Sequence, residues 1–224
     1  VELQILFEDN HLLAVNKPAG MLSQGDDTGD YSLVDAVNDY LVKKYNKPGD
    51  AFVGLIHRID RPVSGLVLLA KTSKALERMN KLFHDRLVYK KYLAVVKDKV
   101  LMEEGELVNY LKKSTEKNLV HAHDREVKDS KRAELSYRVQ KYGSRYSLLE
   151  VSPKTGRPHQ IRVQLSHMGH PIVGDVKYGY PTANNDYSIA LHSWKLAFEH
   201  PVTKEPVSIK CPVPNKDWWQ LVRD

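Results

Sequence analysis

The most constraining stretch of this 224-residue chain is GLVLLAK, residues 65–71. Leu66 to Ala70 are apolar on consecutive positions, neither alternating nor spaced as on one helix face. That pattern predicts a short strand buried on both sides, the centre of a sheet covered above and below. The run is far shorter than the ~20 residues a spanning helix needs, and no longer apolar run occurs. With Thr72 it also imitates a phosphate-binding loop. The second glycine of such a loop is replaced by Ala70, and a strand cannot supply a curved cradle of inward N–H groups. A nucleotide site is excluded here.

Irregularly alternating strand-like and helix-like segments surround this run. ILFED and LLAVNK read as two strands, followed by a turn at Pro18-Ala19-Gly20. Leu33, Val34, Val37, Tyr40, Leu41 and Tyr45 recur at helical spacing, and Ser32 with Asp35 resembles a capping box, so 33–45 is an amphipathic helix. A strand-like run at 52–56 precedes HRIDRP. Ser73 is expected to cap a second helix carrying Leu76, Met79, Leu82 and Phe83 inward. KYLAVVK, NLVHAHD, AELSYRV, YSLLEVS, IALHSWKLAFEH and VSIKC read as further strands, and 157–168 as a helix ended by Gly169. Many strands with two or three helices predict an α+β fold with a mixed, mostly antiparallel sheet. No linker or repeat divides the chain, so 1–224 is expected to be one domain.

Charge is distributed unevenly. The net charge is +6, yet residues 57–97 and 112–162 each carry +7, while 1–56 carry −5 and 98–111 carry −3. Such concentration fits a polyanionic partner, although a solvated basic surface would look the same from charge alone. The lone cysteine, Cys211, forbids an internal disulfide and any multi-cysteine zinc site. With an acidic N-terminal segment and no cleavage signature, the expected location is the cytoplasm.

Ten histidines invite a metal reading. His121 and His123 lie two apart in an alternating strand and so point to one face, near basic residues, but no carboxylate at helical spacing completes a ligand set. A structural or RNA-facing role is the better reading. Gly-x-Ser-x-Gly is absent, which argues against a serine hydrolase. HRIDRP (57–62) places Asp60 between Arg58 and Arg61. Read alone, this is either a surface ion pair or a carboxylate kept ionised by cations, as a nucleophile or base requires. KTGRPHQIR (154–162) is a second basic constellation, either a plain turn and helix or a helix start that turns Arg162 inward.

Together these segments resemble the RluA-type family of RNA pseudouridine synthases. AVNKPAG (14–20) is similar to the family's first motif, HRIDRPVSGLVLLAK (57–71) to its catalytic motif and KKYLAVV (90–96) to its tyrosine strand. PKTGRPHQIRVQLSHMGHPIVGDVKYG (153–179) is similar to its longest motif, and LHSWKLAFEHPVT (191–203) to its closing strand. The motifs occur in the family's order over essentially the whole chain. Ile59 and Val63 stand where Leu and Thr are common.

The resemblance implies the pseudouridine synthase catalytic fold, with two subdomains flanking a cleft. No separate N-terminal RNA-binding domain is expected, because strand pattern begins at about residue 3. The implied reaction converts uridine to pseudouridine within structured ribosomal or transfer RNA, without cofactor or metal, by a monomer. Asp60 matches the catalytic carboxylate, acting as nucleophile or as base toward the sugar. Arg162 matches the arginine paired with it. Tyr92 matches the active-site tyrosine, and Arg58 the arginine that fills the stack when the target base leaves. Lys17 and Pro18 are expected to shape the floor of the site, and His159 and Gln160 to fix the helix of Arg162 beside the substrate. Two alternatives remain at this point: an RNA-binding pseudo-enzyme of the same fold, and an enzyme acting on free nucleosides or nucleotides.

Overall fold

The computed structural model describes residues 2–114 and 118–222. Part of the basic segment 112–162, residues 115–117, lies outside the described residues. The chain forms two compact units: residues 1–90 with 193–212, and residues 91–192 with 213–224.

In the first unit, β1 (Gln4–Glu8) and β2 (Leu12–Lys17) form an antiparallel hairpin, and β2 pairs antiparallel with β4 (Ser64–Ala70). All seven residues of β4 are buried, as the unbroken apolar run predicts. The short β3 (Gly54–Leu55) pairs with the end of β4, and is all that forms of the strand expected at 52–56. The sheet continues from β4 to β10 (Leu191–Glu199) and β11 (Pro206–Lys210). Gly65 has φ +117°, and a Cβ there would lie 2.3 Å from the Ser193 carbonyl oxygen, so the two strands meet only over glycine.

Helix α1 (Leu33–Tyr45) has the expected Ser32–Asp35 capping box, and ends on Asn46 in the left-handed region. It is tied to β1 at Glu8, which accepts from Tyr40, Lys44, Tyr45 and Lys71 at 2.7–2.9 Å. Burial raises the Glu8 pKa, but these four donors outweigh it and hold the carboxyl at about 2. Lys71, the would-be phosphate lysine, is thus engaged with Glu8. Helix α2 (Ser73–His84) is capped one residue earlier than expected: Thr72 is extended and its hydroxyl accepts from the Ala75 N–H, leaving Ser73 in the first turn. Ala75 and Met79 of α2 pack with Leu12, Leu66, Leu68, Leu196 and Ile209 in the core of this unit.

The second unit is a five-stranded sheet in the order β5-β9-β8-β6-β7. The strands are β5 (Tyr89–Lys97), β6 (Glu104–Lys113), β7 (Val120–His123), β8 (Lys131–Tyr142) and β9 (Tyr146–Pro153), with every pairing among them antiparallel. Strand β6 was not expected. Its Leu107, Asn109 and Leu111 do alternate inward, but charged residues at both ends mask the pattern. Helix α3 (Gln160–His167) supplies Val163 to a cluster with Leu111, Val120, Ala133 and Tyr178. It is shorter than the helix expected over 157–168. Residues 157–159 form a turn closed by Gln160 N–H donating to the Arg157 carbonyl (3.2 Å), and His159 at φ 53° cannot extend a right-handed helix.

Candidate active site

Each unit carries part of the predicted residue set. In the first unit, the turn after β2 and the loop before β4 are built against one another. Gly20, at φ +91°, turns the chain so that its N–H donates to the Arg61 carbonyl at 2.8 Å. Its own carbonyl accepts from Arg61 Nε at 2.9 Å. Ser23 holds the residue before Asp60 from both sides: its hydroxyl donates to the Ile59 carbonyl (2.8 Å) and accepts from the Ile59 N–H (3.3 Å). The Asp60 carbonyl accepts from Val63 N–H at 3.0 Å, closing the turn. Asp60 is therefore fixed at the backbone on both flanks, with its side chain half-buried.

Lys17 sits beneath this loop with no solvent exposure. Its ammonium donates to the carbonyls of Met21 (2.7 Å), Pro18 (2.9 Å) and Arg61 (3.3 Å), joining the turn to the Asp60 loop. Burial pushes its pKa down to about 7 against the attraction of Asp60, with Arg61 adding to the depression. Lys17 thus underlies the Asp60 loop, while Pro18 contributes its carbonyl and is itself exposed. Arg58 projects from the same loop and is exposed, whereas Arg61 pairs with Asp30 at 2.8 Å. His57, one residue before Arg58, accepts the Leu68 N–H on Nε2 at 3.0 Å, and its ring stacks on Phe83 at 5.3 Å. Burial, helped by Lys90, pushes the His57 pKa down to about 3, so the ring is neutral with its proton on Nδ1.

In the second unit, Tyr92 lies on β5 opposite Val151 and is half-buried. Arg162 is buried on α3 and grips Asp175 in a two-pronged pair, Nε to Oδ2 at 2.7 Å and Nη2 to Oδ1 at 2.8 Å. The guanidinium also lies over the Tyr178 ring, 5.0 Å from its centroid. Tyr178 Oη accepts the Val120 N–H (3.1 Å) and meets His159 Nδ1 at 2.6 Å. Gln160 is buried; its amide oxygen accepts from Thr155 Oγ1 (2.7 Å) and Arg157 N–H (3.0 Å), and its nitrogen donates to the Glu134 carbonyl (3.0 Å). His159 and Gln160 thus brace the start of α3.

Sequence reasoning missed Ser23, Asp175 and Tyr178. Asp175 left a trace, a lone carboxylate in the otherwise uncharged segment MGHPIVGDV. Ser23 left none. Among the described residues, no three His, Cys, Asp or Glu side chains converge to hold a metal ion.

The RNA pseudouridylate synthase family model matches residues 11–167. Ribosomal large subunit pseudouridine synthase C of Yersinia pestis is 32% identical over 224 residues, covering 95% of this chain and 66% of that protein. The chain therefore spans just under two thirds of that relative's length. tRNA pseudouridine synthase C of Pasteurella multocida (strain Pm70) is 33% identical over 242 residues, covering 98% of this chain and 95% of that protein. Among solved structures, human RNA Pseudouridylate Synthase Domain Containing 4 shares the fold, with a TM-score of 0.82 at 22% identity over 98% of this chain and 93% of that one. The chain belongs to the RNA pseudouridylate synthase family.

Proposed function

We propose that this protein isomerises specific uridines to pseudouridine in structured RNA, ribosomal or transfer, with Asp60 as the catalytic carboxylate. The observation that carries the reading is the clamped Asp60 loop, held at Ile59 by Ser23 and at Arg61 by Gly20 and Lys17. A group that must meet one sugar carbon benefits from a backbone fixed before substrate arrives. Asp60 acts as nucleophile toward the anomeric carbon or as base toward the sugar. The base then leaves, turns and rejoins through its carbon 5.

Arg162 is assigned to the catalytic machinery as its buried cation. Asp175 orients its guanidinium through Nε and Nη2. Tyr92 is assigned to stack on the uracil and to assist proton transfer at carbon 5. Exposed Arg58 is assigned to the gap left by the extracted base, where its planar guanidinium can stack. Lys17, Pro18, His159 and Gln160 position these groups.

The test is tritium release from stem-loop RNA labelled at uridine carbon 5. Wild type should release label, and Asp60→Asn should release less than about a hundredth as much, with RNA affinity preserved. Retention of more activity than that would remove Asp60 from the chemistry. Binding without isomerisation by the wild type, on ribosomal and transfer RNA alike, would favour the pseudo-enzyme reading.

A further inference from the structure

The histidine strand found no place in the proposed site, and the register of the second unit gives it another setting. Tyr110 of β6 lies directly opposite His123 of β7 on one side and Arg132 of β8 on the other. One row along, Lys112 lies opposite His121, and in the other direction lies Val108. Opposed residues share a sheet face. The alternate residues Asn109 and Leu111 are buried, with Leu111 in the cluster that Val163 of α3 joins. Tyr110 and its neighbours therefore occupy the face away from α3. His121 and Arg132 are exposed, Val108 is 40% exposed, and Tyr110 and Lys112 are half-buried.

We propose that this face is a second RNA-docking surface, on which an unpaired base beside the substrate stem stacks on Tyr110 while Lys112 and Arg132 meet phosphates. Charge complementarity selects the occupant. The carboxylate on these rows, Glu134, is held by Arg132 Nη1 at 2.8 Å. Asp124, next to His123, is held by His167 at 2.8 Å. Farther along the sheet, Glu104, Glu106 and Glu150 are matched by Arg138, Lys154 and Lys91, so that end is neutral. Lys112, opposite His121, adds a cation to this face beyond these pairs, whereas Lys113 and Lys131, in register with Val120 and Leu111, belong to the other face. An aromatic ring flanked by cations suits single-stranded nucleic acid, whose bases have free faces; a paired stem hides them. A protein partner would find little apolar area here beyond Val108 and Tyr110.

This inference rests on the RNA-modifying reading, and the experiment separates the two. Catalytically silenced Asp60→Asn protein is titrated with a stem-loop, with or without a short single-stranded tail carrying 2-aminopurine. The tail should tighten binding and its fluorescence should be quenched by stacking. Tyr110→Ala should lose about 5- to 150-fold in affinity for the tailed RNA only, and lose the quenching. Tyr110→Phe, which keeps the ring, should retain both, and so controls for misfolding. Tyr187→Ala, at a tyrosine 81% exposed elsewhere in the unit, should change neither. Lys112→Ala should lower the salt slope by about one. A tail that adds no affinity, or Tyr110→Ala weakening the tailless RNA equally, would overturn the proposal, as would Tyr187→Ala matching its effect. Isomerisation of the tailless stem-loop by wild type independently tests the function itself.

Discussion

Lys17 offers the sharpest test of how the Asp60 loop is held. Its ammonium has no solvent exposure and three carbonyl acceptors, and burial brings its pKa from 10.5 to about 7. In the unfolded chain the lysine keeps its proton to about pH 10.5, whereas in the folded chain it releases it near 7. The unfolded state therefore binds more protons across that window, and stability must rise with pH. The contribution is fully present above the unfolded pKa and is lost as pH falls through the folded one. Its slope is about 1.4 kcal/mol per pH unit at most, so between pH 7.5 and 9.5 it amounts to about 2–3 kcal/mol. Lys17→Met keeps the apolar stem and removes the titrating group. It also leaves the carbonyls of Pro18, Met21 and Arg61 without this donor, at about 1–3 kcal/mol for each that stays dry. Chemical denaturation of both proteins at several pH values, taken as a difference, cancels the other ionisations. Wild type should gain about 2–3 kcal/mol on the variant from pH 7.5 to 9.5. A flat difference would refute the reasoning: the carbonyls and Asp60 would then be keeping the ammonium charged throughout, and burial would not control it.

His57 should act as a hydrogen-bond acceptor and not as an acid or base. His57→Gln, whose amide oxygen can accept the Leu68 N–H, should keep most activity, whereas His57→Leu should cost about 1–3 kcal/mol in denaturation. The His57 ring-nitrogen shifts in NMR should stay constant from pH 5 to 8, and a titration there would contradict its neutral state. Arg58→Ala should lower turnover far more than affinity, because unstacking costs a few kcal/mol after binding. RNA with its target uridine already unstacked should recover part of the rate, and full activity of Arg58→Lys would reduce Arg58 to a phosphate contact. Turnover on a stem-loop that folds in monovalent salt should survive EDTA; loss there, with recovery on added zinc or magnesium, would sink the cofactor-free mechanism.

What the sequence determined by itself is what short-range physics encodes. Helical spacing and the Ser32–Asp35 box gave α1 with both ends correct, and the unbroken apolar run gave β4 as a wholly buried strand. The ordered motifs pointed to the family, and strand alternation put His121 and His123 on one face. Errors fell where neighbouring residues compete for one role, as Thr72 and Ser73 do for the α2 cap, or where charged flanks hid the alternation of β6. Tertiary structure alone decided the pairings that give the candidate residues their states. Lys17 meets the Arg61 carbonyl across 44 positions, Ser23 meets Ile59 across 36, and Arg162 meets Asp175 across 13. No local periodicity reaches that far. An ammonium, a hydroxyl and a guanidinium acquire their partners only when folding removes water and leaves the nearest carbonyl or carboxylate to satisfy them. The residue types of the site were therefore legible in the chain, while the protonation of Lys17 and His57 and the anchoring of Arg162 depended on which groups were buried beside them.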